Sequence, residues 1–258
     1  MLEIEDLHLD LGRAPVLRGI DLTAAAGEVT VILGPNGSGK STLIRAASGD
    51  LPYRGSIRLA GEEVATTPPW RRAARRAVLE QQARAAFPFT VAEVVRMGLH
   101  AGIEADHDEI TAAALAEVGL ADLAQRPIHA LSGGQQARAH LARVRAQVWA
   151  PCGHAGARWL FLDEPVASLD IGHQLEVMAV MRRFAEAGGG VVAVMHDLNL
   201  SAMVADRMAL LAAGRVIAAG PPEEVLRDAP LAAAYGCALR VGHAPAGARF
   251  VLPQSVGA

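Results

Sequence analysis

A β-branched apolar run, GEVTVIL (Gly27–Leu33), passes directly into GPNGSGKST (Gly34–Thr42), and a helix-forming stretch follows. Few folds accommodate a strand that feeds a glycine-rich loop and then a helix. Such a loop curls until its backbone N–H groups converge, and the helix start adds its partial positive charge. Gly34 to Ser41 fits G-x-x-x-x-G-K-[ST] in the strand–loop–helix setting that the pattern requires. The expectation is an α/β fold with a phosphate-binding loop built from Gly34, Pro35, Asn36, Gly37, Ser38, Gly39, Lys40, Ser41 and Thr42. Lys40 is the only lysine; every other basic residue among the 24 Lys+Arg is arginine. A compact ammonium on a thin stem reaches the β- and γ-phosphates inside the loop, where a wide planar guanidinium fits less well.

The remaining chain divides by pattern. Strand-like alternation opens it at Leu2–Leu11 and returns at Val16–Leu22, with a further strand at Ser56–Gly61. From about Ala83 to Val148 helical spacing dominates. RWLFLDE (Arg158–Glu164) and GVVAVMHD (Gly190–Asp197) read as buried parallel strands, with a crossover helix over Ile171–Ala187 between them. Met208–Gly220 reads as a hairpin turning at Ala213-Gly214.

A phosphate loop is shared by kinases, GTPases and motors, so other residues must select among them. LFLDEP ends a buried strand in two acids. Asp163 is placed to hold Mg²⁺ together with Ser41, and strand alternation turns Glu164 another way, toward an attacking water. LSGGQ (Leu131, Ser132, Gly133, Gly134, Gln135) precedes a helix. Its serine and the N–H groups of its glycines make a second anion site.

With LSGGQ the chain resembles the ATP-binding cassette (ABC) ATPases over nearly its whole length. The resemblance implies a single domain, with residues 1–82 and 158–258 as a P-loop NTPase (RecA-like) core that includes an N-terminal antiparallel β region. An α-helical subdomain of about 83–157 would be inserted into it. It also implies that two copies pair head to tail, each LSGGQ closing on the ATP held by the other. Three further positions match the family pattern. Gln81 sits where the family has a glutamine touching Mg²⁺ and water; Gln82 is adjacent, and the spacing to FPFTV favours Gln81. Asp170 of ASLD would contact the partner copy, and His196 would contact the γ-phosphate. The sequence departs from the pattern at Leu11, where an adenine-stacking aromatic is common, and at Val166 and Glu80.

The composition narrows the task. The net charge of −3 argues against a nucleic-acid binder. No run approaches the ~18 apolar residues of a membrane span, so an importer subunit working with a separate permease is expected. The resemblance implies ATP and Mg²⁺ as cofactors, a homodimer, two permease subunits, a periplasmic or surface binding protein reached indirectly, and a peripheral place on the cytoplasmic face of the inner membrane. Likeness is strongest to ATPases that import iron chelates, haem and cobalamin, with haem first and siderophore or cobalamin as alternatives. A soluble ABC ATPase and a small-molecule kinase are the rivals from other classes. Phe87 and Phe89 are expected as permease anchors. WRRAARR (Trp70–Arg76) is expected to be a solvated helix face, PCGH (Pro151–His154) a surface insertion, and Cys152 and Cys237 two reduced thiols.

Overall fold

The computed structural model describes residues 1–81, 88–104, 107–154, 156–244, 247 and 249–255. Two sheets organise it. The first is antiparallel, in the order β2 (Ala14–Ala24), β1 (Leu2–Leu11), β4 (Arg54–Leu59) and the short β5 (Glu62–Glu63). β3 (Val29–Leu33) belongs to the second, whose order is β12–β11–β3–β10–β9–β6. Its other strands are β6 (Arg76–Leu79), β9 (Trp159–Asp163), β10 (Gly190–Val194), β11 (Arg207–Ala212) and β12 (Arg215–Gly220). All pairings within it are parallel except the β11–β12 hairpin, which turns at Ala213 and Gly214, both at positive φ.

The central strands are apolar throughout because both faces are covered, and the pleat sorts their side chains with period two. On one face Val29, Val31, Leu33, Leu160, Leu162, Val191 and Ala193 join a core shared with the helices. On the other, Ile32, Trp159, Phe161, Val192 and Val194 meet the antiparallel sheet and α1 (Lys40–Ala47). Each fully buried large side chain contributes about 1.5–3 kcal/mol. Between β6 and β9 lie α3 (Val91–Ala101), α4 (Glu109–Glu117), α5 (Gly133–Gln147) and the small hairpin of β7 (Cys152–Gly153) and β8 (Gly156–Ala157). α3 starts on a reciprocal cap between Thr90 and Glu93. α6 (Ile171–Glu186) is the crossover from β9 to β10, and its N-cap Asp170 accepts from the His173 N–H at 3.0 Å. α7 (Leu198–Val204) follows β10, while α8 (Pro222–Val225) and α9 (Asp228–Tyr235) follow β12.

One expectation is corrected. The basic run forms α2 (Pro69–Arg75) and the start of β6, but most of its arginines face inward. α1 ends in an αL glycine, Gly49 at φ +80°, leaving carbonyls at that end in need of donors. Arg72 Nη1 donates to the Gly49 carbonyl at 2.7 Å, Arg75 pairs with Glu62 at 2.9 Å and Arg76 with Asp50 at 3.4 Å. Trp70, at 73 % exposure, and Arg71 keep the solvated character. Phe89 is half-buried and packs on the core of the helices. Phe87 and Gln82 lie outside the described residues.

Candidate active site

β3 ends at Leu33 and the chain turns through Gly34 at φ +144°. A Cβ there would stand 2.1 Å from the Leu211 carbonyl oxygen, so only glycine allows the loop to leave the sheet against β11. The loop closes at Gly39, φ +103°, which is the N-cap of α1 and provides no side-chain cap. The first-turn N–H groups of Lys40, Ser41 and Thr42 therefore have no intrahelical acceptor and point out of the helix start, as an anion site requires.

Lys40 is buried at 6 % exposure and folds back over the loop, donating from Nζ to the carbonyls of Gly34 at 2.8 Å and Pro35 at 3.0 Å. Burial holds its pKa below the usual lysine value, opposed by the carboxylates of Glu164 and Asp163. Asp163 closes β9 and is likewise buried, and that burial raises its pKa above the usual carboxylate value, while the Ser41 hydroxyl, donating to Oδ1 at 3.1 Å, works the other way. Glu164 lies beyond the strand, at φ +54°. Its direction is set by this left-handed turn, where a non-glycine residue is uncommon, and not by strand alternation as the sequence led us to expect. The turn brings its Oε1 to 2.6 Å from Nε2 of His196, which follows β10.

One cleft of about 580 Å³ is lined by Asn36, Gly37, Gly39, Lys40, Ser41, Thr42, Gln81, Glu164 and His196, with Val16 of β2 at its side. A second, of about 410 Å³, shares Ser41 and Gln81 and adds Asp163, Arg45 and Glu80. The structure thus brings together the phosphate loop, both acids, Gln81 and His196, which lie far apart in sequence. Val16 was not singled out beforehand; as one apolar residue in an alternating strand it carries no signal of its own. Leu11, 46 % exposed, is not among the residues lining the cleft.

Leu131–Gln135 also lines neither cleft. Leu131 is buried in the core. Ser132 caps α5: its Oγ accepts from the Gln135 N–H at 3.3 Å, and the Gln135 side-chain oxygen accepts from the Ser132 N–H at 3.0 Å. The N–H groups of Gly133 and Gly134, the first two helical positions, are left over by this box. Asp170 is exposed and bonded to His173 Nδ1 at 2.8 Å. The donor set around Ser41 is all oxygen: its hydroxyl, the Asp163 carboxylate and the Gln81 amide. That suits a hard cation such as Mg²⁺.

Known proteins resemble this chain over most of its length. The model of the family described as "ABC transporter" matches residues 17–167. The "Hemin import ATP-binding protein HmuV" of Roseobacter denitrificans is 57% identical over 255 residues, covering 98% of each chain. The protein of that name from Rhizobium etli is 49% identical over 259 residues, covering 99% of this chain and 98% of its own. Among solved structures, cbiO1 from Clostridium perfringens, part of the ABC transporter complex cbiONQ, superposes with a TM-score of 0.73 at 26% identity, covering 89% of this chain and 92% of its own. An ATP binding subunit of an ABC transporter superposes at 0.78 with 24% identity over 90% of this chain and 94% of its own, a likeness of fold.

Proposed function

This chain belongs to the ABC transporter family as the ATP-hydrolysing subunit of an importer, and we propose that the cargo its hydrolysis drives is haem. The observation that carries the cargo is the set of near full-length relatives named hemin import ATP-binding proteins, at 47% identity or more. An importer ATPase works with a membrane permease, and no helix among the described residues is long and apolar enough to cross a membrane. In the reading we favour, two copies of this single-domain chain sit under two permease subunits on the cytoplasmic face of the inner membrane. A binding protein delivers haem from the other side, and residues of about 83–157 move against the 1–82 and 158–258 core.

The chemistry follows from the cleft. Backbone N–H groups of Gly37–Thr42 and the Lys40 ammonium would hold the β- and γ-phosphates, in a recess where partial desolvation strengthens each contact. Ser41, Asp163 and Gln81 would hold Mg²⁺, which when bound neutralises charge on the phosphate oxygens. Glu164 would accept a proton from the attacking water. His196, 2.6 Å away, would hold the orientation of that carboxylate and would contact the γ-phosphate. The N–H groups of Gly133 and Gly134, with the Ser132 hydroxyl as donor, would complete the site from a second copy, and Asp170 would lie at that contact.

The test is ATPase rate of the chain reconstituted with its permease, against binding proteins loaded with haem, ferric siderophore or cobalamin. Stimulation by the haem-loaded protein alone is expected. Stimulation by another cargo overturns haem and leaves the ATPase assignment intact.

A further inference from the structure

The phosphate loop is held from outside by the tip of the β11–β12 hairpin. The Gly214 N–H donates to the Ser38 carbonyl at 3.2 Å, and the Gly214 carbonyl accepts from the Arg18 N–H of β2 at 2.9 Å. One residue thus bridges the loop and the antiparallel sheet. The loop's own closure is separate: the Ser38 N–H donates to the Pro35 carbonyl at 3.3 Å, and Lys40 holds the carbonyls of Gly34 and Pro35. The Ser38 carbonyl meets no other donor among the described residues. Its direction matters, because it shares one planar peptide group with the Gly39 N–H, and in a trans peptide the two point opposite ways. Gly39 lines the nucleotide cleft, whereas Ser38 and Gly214 do not. Fixing the carbonyl on the hairpin therefore turns the Gly39 N–H toward the cleft. That N–H makes no hydrogen bond among the described residues, as a donor kept for an anion requires.

The tip reaches this position because residue 214 has no side chain. At its φ of +76° a Cβ would stand 2.2 Å from the Val16 carbonyl oxygen. A left-handed turn alone does not impose such an approach. Gly61, between β4 and β5 at φ +79°, has nothing within 4 Å of a Cβ. Gly214 therefore combines a turn with a seat between β2 and the loop, beside Val16, which itself lines the cleft. A methyl group there would push the tip off β2 and away from Ser38, and would release the peptide group that aims the Gly39 N–H.

We propose that Gly214 is a positioning residue for nucleotide binding: the hairpin tip sets the Ser38–Gly39 peptide in its phosphate-binding orientation before nucleotide arrives. The inference rests on the ATP-binding reading given above and is independent of the cargo. A site set in advance gains affinity in proportion to the fraction of molecules already competent. Once ATP is bound, its own contacts hold the loop, so loss of the strut weakens binding and spares the chemical step.

The probe is ATP, titrated calorimetrically into the full chain, with Gly61→Ala as the control for a left-handed alanine in an open turn. Both alanine variants should melt below wild type, because an L-residue is strained in that conformation. Only Gly214→Ala should weaken ATP binding, by about ten-fold, the upper value of a lost neutral hydrogen bond. In the permease-reconstituted complex its KM for ATP should rise while kcat at saturating ATP is kept. Arg18→Pro removes the other half of the strut, on an edge strand whose outward N–H can be replaced by proline, and should weaken ATP binding by about three-fold. ATP binding by Gly214→Ala no weaker than by Gly61→Ala, or a fall in kcat with affinity kept, overturns the inference. Should Gly214→Ala fail to fold, unchanged affinity in Arg18→Pro overturns it. A wild-type chain that binds no ATP overturns the ATP-binding reading and this inference with it.

Discussion

α1 and α5 both begin at glycine-rich turns, and they begin in opposite ways. At α1 the N-cap is Gly39, no side chain caps the helix, and three first-turn N–H groups open into a 580 Å³ cleft beside Lys40. At α5 the cap is complete, with Ser132 and Gln135 satisfying each other's N–H groups. An open helix start is unstable by itself and is suited to a strongly held anion. A self-capped start is stable alone and offers only the two N–H groups its box does not use. The first suits a held phosphate; the second, on the function proposed above, would close over phosphate held by another copy. That division suits a site completed by two copies of the chain.

The comparison can be broken most severely at the open start. Glu164→Gln should lower turnover by about 10²-fold or more and leave ATP binding intact, read by single-turnover hydrolysis against nucleotide titration. Lys40→Arg should reduce turnover nearly as far with Tm unchanged, because charge is kept and the fit inside the loop is lost; near-wild-type turnover would show that charge alone suffices.

Asp163→Asn sharpens the contrast in stability. Burial raises the folded-state pKa of Asp163 above its unfolded value, so the ionised carboxylate costs stability at neutral pH. That cost disappears as pH falls through the raised pKa. The asparagine variant should therefore melt higher than wild type at pH 7, with the difference shrinking on acidification, while metal-dependent turnover is lost. A lower Tm at pH 7 would mean that the Ser41 and Lys40 contacts outweigh desolvation.

At the capped start the effects are smaller. Ser132→Ala should cost about 1 kcal/mol in urea unfolding of the isolated chain, and Gln135→Ala about half of that. Neither should alter ATP binding to a single copy, since neither residue lines the nucleotide cleft.

Much of this was legible in the chain itself, for identifiable reasons. The loop, the two buried strands and the hairpin are local patterns, and each forms where its residues place it, because covered parallel strands tolerate no polar interruption. Ser132-x-x-Gln135 also spells out its own capping box, so the same residues carry a helix cap as well as the anion site read from them. What could not be read depends on distant backbone. The left-handed turn at Glu164 follows the end of β9, and its N–H is held by the Val194 carbonyl at 3.1 Å, a partner thirty residues away. Arg72 of α2 turns inward to the carbonyl left at the end of α1 by Gly49, and Val16 reaches the cleft because β2 runs past the loop.

The most direct measurement is the mass of the Glu164→Gln chain by sedimentation, with and without MgATP, and again with Ser132→Ala added. If the two helix starts form one site across two copies, ATP doubles the mass and the serine change weakens that association by about ten-fold, the value of a hydrogen bond to a charged group. A mass indifferent to ATP, or an association indifferent to Ser132, would contradict it.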